Sequence, residues 1–190
     1  MAESVTIKVN QTAPMFALTD VFDEEIDLNN YKGKKVLVGF FRHAGCPFCN
    51  VRVHNLKKYQ QEFEQLGLSM IFFFESTKKT LLKHKFHAEL NPIPLIADPK
   101  KVWYEHYGIE NSKLKSAISH ITSIFPIAIR AKLKGLPVHT MEGKESINTI
   151  PAEFLIDENG MVRVVHYARG LNDRMRMETI LDFAKGKLNF

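Results

Sequence analysis

The two cysteines of this chain stand close together, at a point where a strand pattern changes into a helix pattern. Cys46 and Cys49 are the only cysteines in the 190 residues, and two residues separate them. The apolar run at residues 35–41 predicts a buried strand, and the spacing of apolar residues over 50–66 predicts a helix. A Cys-x-x-Cys pair at such a junction is typical of a redox-active dithiol.

The start of the helix favours the ionised form of the first thiol. The first N–H groups of a helix have no partner within it and carry partial positive charge, so they stabilise a thiolate. A cysteine in this setting has a pKa of roughly 3.5–7.5, compared with about 8.5 for a free cysteine. Pro47 lacks an N–H, and its fixed φ suits the first turn. We expect Cys46 to be the more exposed and more acidic thiol, which reacts first, and Cys49 to resolve its product.

Three other interpretations fit the pair less well. The cysteines could be ordinary buried small hydrophobes, but both occur at a helix start. They could supply half of a zinc site completed by His43 and His54, although these histidines lack the usual spacing and no second Cys-x-x-Cys exists. A structural disulfide is disfavoured because so short a loop restrains the unfolded chain little. We therefore expect no metal and no organic cofactor.

Composition indicates one soluble domain spanning residues 1–190. Hydrophobic residues make up 45% of the chain and charged residues 25%, which is ordinary for a globular protein. The net charge of +5 could suggest nucleic acid, but most Lys and Arg residues are scattered among acids, so solvated faces are expected instead. Residues 1–5 show no secretory signal, and the apolar-rich stretch 117–129 is too short to span a bilayer. We expect a cytoplasmic protein, where a cysteine pair is more often redox-active than structural.

The order of patterns along the chain predicts an α/β fold. A β-hairpin over residues 11–29 precedes an alternation of strands and helices up to residue 108. After an insertion at 110–148, a second hairpin turns at Asn159-Gly160, and a final helix follows. Alternating strands and helices place helices on both faces of a sheet. We expect a three-layer sandwich with a mixed central sheet.

Several segments resemble one known family. Residues 13–20, 28–41, 46–49, 98–108 and 150–157 are similar to the AhpC/TSA, or peroxiredoxin-like, branch of the thioredoxin superfamily. The resemblance covers nearly the whole chain except residues 110–148. It implies a thioredoxin-like fold, thiol chemistry at Cys46 and Cys49, and a cis peptide bond before Pro151, across the active site from Cys46.

Departures from the family pattern bear on the reaction. A typical member has Thr or Ser three residues before its reactive cysteine and Pro four residues earlier, where this chain has His43 and Gly39. The family's cysteine-stabilising arginine would lie where Pro151 stands. Arg42 or Arg169 could replace it, and His43 could hydrogen-bond the Cys46 thiolate. Because these peroxide-activating groups are missing from their usual places, disulfide exchange is expected to be faster than peroxide reduction.

The insertion carries the one concentration of unbalanced charge. Residues 111–141 contain no acid but include Lys113, Lys115, Arg130, Lys132 and Lys134, interleaved with isoleucines. We expect a helical segment packed on the core with solvated lysines. A dimer contact, a cover over the active site, or a basic amphipathic helix for an anionic membrane or acidic partner are the alternatives.

The sequence therefore predicts a thiol-disulfide oxidoreductase. Its partners would be a disulfide-containing protein or a peroxide, with a thioredoxin- or glutathione-type reductant, no nucleic acid, no membrane span, and possibly a second copy as a homodimer. A thiol peroxidase acting on hydrogen peroxide or alkyl hydroperoxides, and a redox-sensing binding module, are the alternatives. Turnover separates these, since a sensor is oxidised once and an enzyme cycles.

Overall fold

Seven strands form two sheets in the residues that the computed structural model describes, namely 6–109, 125–138, 145–146 and 148–188. The short strands β1 (Ala17–Thr19) and β2 (Glu25–Asp27) form the antiparallel N-terminal hairpin that the sequence predicts. The central sheet has the order β5-β4-β3-β6-β7. Its strands are β3 (Lys35–Phe41), β4 (Leu68–Phe74), β5 (Leu95–Ala97), β6 (Ala152–Ile156) and β7 (Val162–Tyr167). β3, β4 and β5 are parallel, whereas β6 is antiparallel to both of its neighbours, so the mixed sheet is confirmed.

Helices follow the strands in the predicted order but are shorter than expected. They are α1 (Pro47–Lys57), α2 (Gln60–Gln65), α3 (Lys78–Leu82), α4 (Lys85–Ala88), α5 (Val102–His106), α6 (residues 125–133) and α7 (Met177–Ala184). The single helix expected over 50–66 is interrupted by a turn at Lys58 and Tyr59, which separates α1 from α2. The N-cap residue of α5 is Lys101, and the Asp98 carboxylate accepts hydrogen bonds from the N–H groups of Val102 and Trp103 in its first turn.

Both faces of the central sheet are buried, and each has its own core. Along β3, Leu37 and Phe41 lie in one cluster, while Val38 and Phe40 lie in the other. The first cluster packs against residues of α1, α2, α3 and α7, and the second against α5 and the N-terminal hairpin. Alternating burial on two faces gives β3 its continuous apolar sequence. This three-layer arrangement is the predicted α/β sandwich, and both cysteines belong to the first cluster.

Close packing explains why residue 39 is a glycine. It lies in the middle of β3, paired with Phe72 and Glu153. A Cβ atom there would approach the Phe41 ring to 2.8 Å and the Phe72 ring to 3.4 Å. The aromatic rings therefore occupy the space that the family's usual side chain would need.

The expected cis bond before Pro151 is wrong. The cis peptide bond among the described residues joins Asn91 and Pro92. Pro151 immediately precedes β6, and its carbonyl accepts a hydrogen bond from the Ala168 N–H at 3.0 Å. The extended chain thus enters the antiparallel ladder directly, at a strand start where the missing N–H of proline is tolerated.

The described parts of the insertion pack on the core, which agrees with the favoured interpretation. Ala131 and Leu136 form a small cluster with Val51 of α1, and Ile127 packs against it. Lys113, Lys115 and the isoleucines before residue 125 lie outside the described residues. Of the helices in the described ranges, none is long and apolar enough to cross a bilayer.

Candidate active site

The Cys pair lies just beyond the carboxyl end of β3, where the chain turns into α1. Cys46 is the N-cap residue of α1, and Pro47 occupies its first turn as predicted. The Cys46 N–H donates to the carbonyl of His43 at 3.0 Å, which closes the loop between strand and helix. Cys49 lies within the first turn, and the N–H of Arg42 donates to its Sγ at 3.4 Å. Strand, loop and helix together bring both sulfurs to one point.

Cys46 is not the exposed thiol that the sequence suggested, because both cysteines are 0% exposed. Every residue from 41 to 50 is buried. The cluster that contains the two sulfurs also contains Ile150, Leu171 and Met175, which come from distant parts of the chain. Position at a helix start does not reveal this cover, because the covering residues are remote in sequence.

The two thiols nevertheless differ in acidity in the expected direction. Burial raises the pKa of Cys46, but a hydrogen bond from Cys49 and the positive charges of Arg42 and Arg174 outweigh it, and the pKa falls to about 6. Burial and its role as donor to Cys46 raise the pKa of Cys49 well above its usual value. At neutral pH the pair therefore holds a Cys46 thiolate and a Cys49 thiol.

Arg42 is a buried guanidinium directed at the reactive sulfur. Its side chain is 1% exposed, and Nη1 lies 3.8 Å from Cys46 Sγ. Its buried Nε and Nη2 groups have no hydrogen-bond partner among the described residues. Buried polar groups are nearly always hydrogen-bonded, so unpartnered donors beside a thiolate are suited to a polar substrate atom. Of the two arginines considered as replacements for the family's arginine, Arg42 is the one that lies beside Cys46.

The second arginine at the site is Arg174, not Arg169. Arg169 is exposed, and its backbone N–H donates to Asp173. The charge of Arg174 lowers the pKa of both thiols, and its Nε and Nη2 are buried without a partner among the described residues. Sequence reasoning missed Arg174 because it lies in an irregular segment before α7, where no motif or periodic pattern marks it.

His43 belongs to a cluster of polar side chains that sequence analysis did not predict. Its Nδ1 lies 3.8 Å from Oε2 of the buried Glu145. The hydroxyl of Ser76 donates to Glu145 and accepts from the N–H of Ala44 at 2.7 Å. Glu145 belongs to the insertion, so these contacts tie the insertion to the loop that carries Cys46.

Asn50 joins three elements around the Cys pair. Its Nδ2 donates to the carbonyls of Ala44 at 2.7 Å and Pro137 at 2.8 Å, and its Oδ1 lies 3.1 Å from His87 Nε2. Asn50 is fully buried, so each of its contacts is shielded from water. The insertion is thereby held against the active-site loop from a second side.

A buried ion pair places the segment that carries Arg174. Arg52 Nε and Nη2 donate to the two carboxylate oxygens of Glu153 at 2.6 and 3.0 Å. The neighbouring Met175 completes this clamp, since its N–H donates to Glu153 at 2.9 Å and its carbonyl accepts from Arg52 at 2.9 Å. The residue before Met175 is Arg174, whose position therefore depends on the clamp.

The fold and the site together define a thioredoxin-fold protein with a free dithiol in which one thiol is acidic. A thiol peroxidase from Chromobacterium violaceum has a similar structure, with a TM-score of 0.65 and 12% identity over 96% of this chain and 89% of that one. This likeness confirms the thioredoxin-like fold. In the described ranges, no group of three or more His, Cys, Asp or Glu side chains could hold a metal ion.

The chain belongs to the AhpC/TSA family, whose model matches residues 9–165. The putative peroxiredoxin bcp of Haemophilus influenzae is 29% identical over 107 residues, which are 56% of this chain and 68% of that protein. Peroxiredoxin Bcp of Escherichia coli K12 is 27% identical over the same shares. A putative peroxiredoxin of Mycobacterium tuberculosis is 22% identical over 167 residues, 88% of this chain and 89% of that one. Family and dithiol identify a thiol-dependent oxidoreductase, which confirms the class of enzyme expected from the sequence.

Proposed function

We propose that Cys46 reduces a small hydroperoxide and that Cys49 resolves the product. The Cys46 thiolate attacks one peroxide oxygen, the O–O bond breaks, and the leaving oxygen takes a proton to become water or an alcohol. Cys46 is then a sulfenic acid. The Cys49 sulfur attacks it, releases water and forms a Cys46–Cys49 disulfide, which an external dithiol reduces by exchange.

The observation that carries this proposal is the Arg42 guanidinium at the buried Cys46. Its Nη1 lies 3.8 Å from the sulfur, and two further donors are buried without a partner in the described part of the chain. Donors aimed at developing negative charge in a water-excluded site stabilise a transition state strongly. Arg174 supplies a second positive charge to the thiols. Because Cys46 has no exposed surface, the surrounding side chains must move before any oxidant reaches its sulfur, and a small hydroperoxide requires less movement than a protein disulfide.

Thiol-disulfide exchange with a protein disulfide is the second candidate, and one observation favours it. The Cys-x-x-Cys begins a helix, and Thr or Ser at position 43 and Arg at position 151 are absent. Exchange needs only an activated thiolate and a resolving thiol. In both candidates the reductant is a thioredoxin- or glutathione-type thiol, and a reducing compartment such as the cytoplasm suits a free dithiol.

Stopped-flow kinetics separates the two candidates. The rate of Cys46 oxidation is measured with hydrogen peroxide, an alkyl hydroperoxide and oxidised glutathione, and steady-state turnover with thioredoxin follows. Because the Arg42 donors lie beside Cys46, we reverse the order expected from the sequence and expect the peroxides to react orders of magnitude faster than oxidised glutathione. Repeated turnover would exclude a sensor that is oxidised once. Faster oxidation by the disulfide would establish exchange as the main reaction.

Arg174 and Arg169 form a matched pair of variants for the same assay. Arg174→Met removes the positive charge that acts on the thiols, whereas Arg169→Met removes an exposed one. We expect the first variant to slow peroxide reduction by roughly 10–100-fold and the second to leave it unchanged. Equal effects of the two changes would mean that Arg174 has no specific part in the reaction.

A further inference from the structure

The outward face of α6 is apolar. Phe125, Ile129 and Leu133 are 79%, 59% and 83% exposed, and their spacing of four residues places them along one side of the helix. The opposite side carries Ile127 and Ala131, which pack toward Val51. A surface helix normally presents polar residues outward, so α6 has apolar residues on both sides. Exposed large side chains grouped in this way mark an interaction surface.

Basic side chains lie on both edges of this apolar row. At 3.6 residues per turn, Arg130 projects along one edge and Lys132 along the other, and Lys134 follows at the end of the helix. No described residue forms an ion pair with any of the three. Basic side chains that have no ion-pair partner among the described residues therefore flank the apolar row.

A cationic pocket adjoins the end of α6. Its volume is about 450 Å³, and its lining includes His54, Lys57, Lys58, Lys85 and Lys134, with one acid, Glu89. Lys85 lies 3.6 Å from Glu89, so that acid is already paired.

Two lysines of this pocket lie within electrostatic reach of each other. Repulsion from Lys58, followed by the charge of Arg130, lowers the pKa of Lys134. Burial and the surrounding lysines likewise lower the pKa of His54. Several lysines that line one pocket with a single acid provide donors suited to the oxygens of an anion such as a phosphate.

We propose that this surface, made of the outward face of α6 and the adjoining lysine pocket, binds anionic phospholipid bilayers. α6 would lie in the plane of the membrane interface, with Phe125, Ile129 and Leu133 entering the acyl boundary. Arg130, Lys132 and the pocket lysines would contact lipid phosphates, since basic residues beside an apolar face are attracted to an anionic leaflet.

A bilayer fits these observations better than a second copy of the chain or a nucleic acid does. A second copy that used the same face would bring two cationic surfaces together, which is repulsive. Nucleic acid would meet the lysines but would leave the three large apolar side chains without a partner. A bilayer uses both the apolar row and its basic frame.

Co-sedimentation of the full chain with vesicles tests the proposal. We expect binding to mixed phosphatidylcholine–phosphatidylglycerol vesicles, little binding to pure phosphatidylcholine, and weakening by salt. Replacing Phe125, Ile129 and Leu133 by Ser should weaken binding roughly tenfold or more. Neutralising Arg130, Lys132 and Lys134 with Gln should weaken it about fivefold per charge. The control is Val9→Ser with Val102→Ser, because these valines are also exposed but lie elsewhere.

Other outcomes would overturn the proposal. Absence of binding to the anionic vesicles, or equal binding of the serine variant and the valine control, would exclude the bilayer. Full competition by soluble inorganic phosphate would assign the pocket to a free anion. A dimer in sedimentation analysis without lipid, lost in the serine variant, would assign the apolar row to a second copy.

Discussion

Two buried arginines near the Cys pair differ in how many of their donors have hydrogen-bond partners. Arg52, 8% exposed, donates to both oxygens of Glu153 and to the Met175 carbonyl. Arg42, 1% exposed, has the Cys46 sulfur 3.8 Å from Nη1 and no partner among the described residues for Nε and Nη2. Arg52 has hydrogen-bond partners for both Nε and Nη2, whereas Arg42 faces the Cys46 thiolate with one donor and leaves two donors without a partner in the described residues, which is costly to the fold. This difference supports the proposed roles, in which Arg52 serves the structure and Arg42 serves the reaction.

The Arg52–Glu153 ion pair also affects the site of the reactive thiols. Glu153 lies on β6 and Arg52 on α1, so their bond joins the sheet to the helix that begins at the cysteines. The clamp also fixes Met175 and hence the neighbouring Arg174, whose charge acts on the thiols. The Arg52–Glu153 ion pair thus helps to position Arg174 near the thiols.

The largest expected effect comes from removing the Cys46 thiolate, which both candidate reactions require. Cys46→Ser should abolish turnover with every oxidant, because a hydroxyl does not ionise near neutral pH and cannot form the sulfenic acid. The matched Cys49→Ser variant keeps the attacking thiolate, so it should accumulate a sulfenic acid or a mixed disulfide at Cys46. Mass spectrometry of the oxidised proteins checks both. A Cys49→Ser protein that cycles normally with thioredoxin would show that Cys49 does not resolve.

The next effect concerns stability and the paired arginine. Glu153→Gln leaves Arg52 as a buried charge without its counterion and should lower the free energy of unfolding by about 3–5 kcal/mol. Urea denaturation of the reduced protein measures this. Replacing both Arg52 and Glu153 with Leu removes both charges and should recover part of the loss. If the double variant were no more stable than Glu153→Gln, the cost would not come from the unpaired charge.

We expect Arg42→Met to have the opposite effects, namely little change in stability and a large loss of reaction rate. It removes a buried guanidinium, two of whose donors have no partner in the described residues, and the Cys46 thiol can then stay neutral, so stability should be unchanged or higher. Peroxide oxidation of Cys46 should slow by roughly 10²–10³-fold, the usual cost of one such donor. Stopped-flow kinetics and urea denaturation on the same preparation give both values. A strong loss of stability with little change in rate would reverse the roles assigned to the two arginines.

The contrast between these arginines also marks the limit of sequence reasoning. Periodicity predicted the mixed sheet, and the strand-to-helix junction predicted an acidic Cys46, because both depend on local pattern and backbone direction. The burial of Cys46 and the contribution of Arg174 come from segments more than a hundred residues away, which no local pattern reports. Pro151 shows a further limit, since a family resemblance predicted a cis bond where the chain enters β6 in the trans form.

The smallest expected effect is on pH dependence, and it tests which groups set the acidity of Cys46. Burial raises the pKa of this thiol, but the Cys49 S–H and the Arg42 charge bring it to about 6. Because the thiolate is the nucleophile, the oxidation rate should rise about tenfold per pH unit up to about 6 and level off above it.

Cys49→Ala removes the hydrogen-bond donor and Arg42→Met removes the charge. Each should therefore move the midpoint to higher pH. Arg52→Lys retains a cation opposite Glu153 and should leave the midpoint in place. Thiolate absorbance measured across pH gives the three midpoints directly, and an equal shift in all three variants would show that the two arginines do not differ in their action on the thiol.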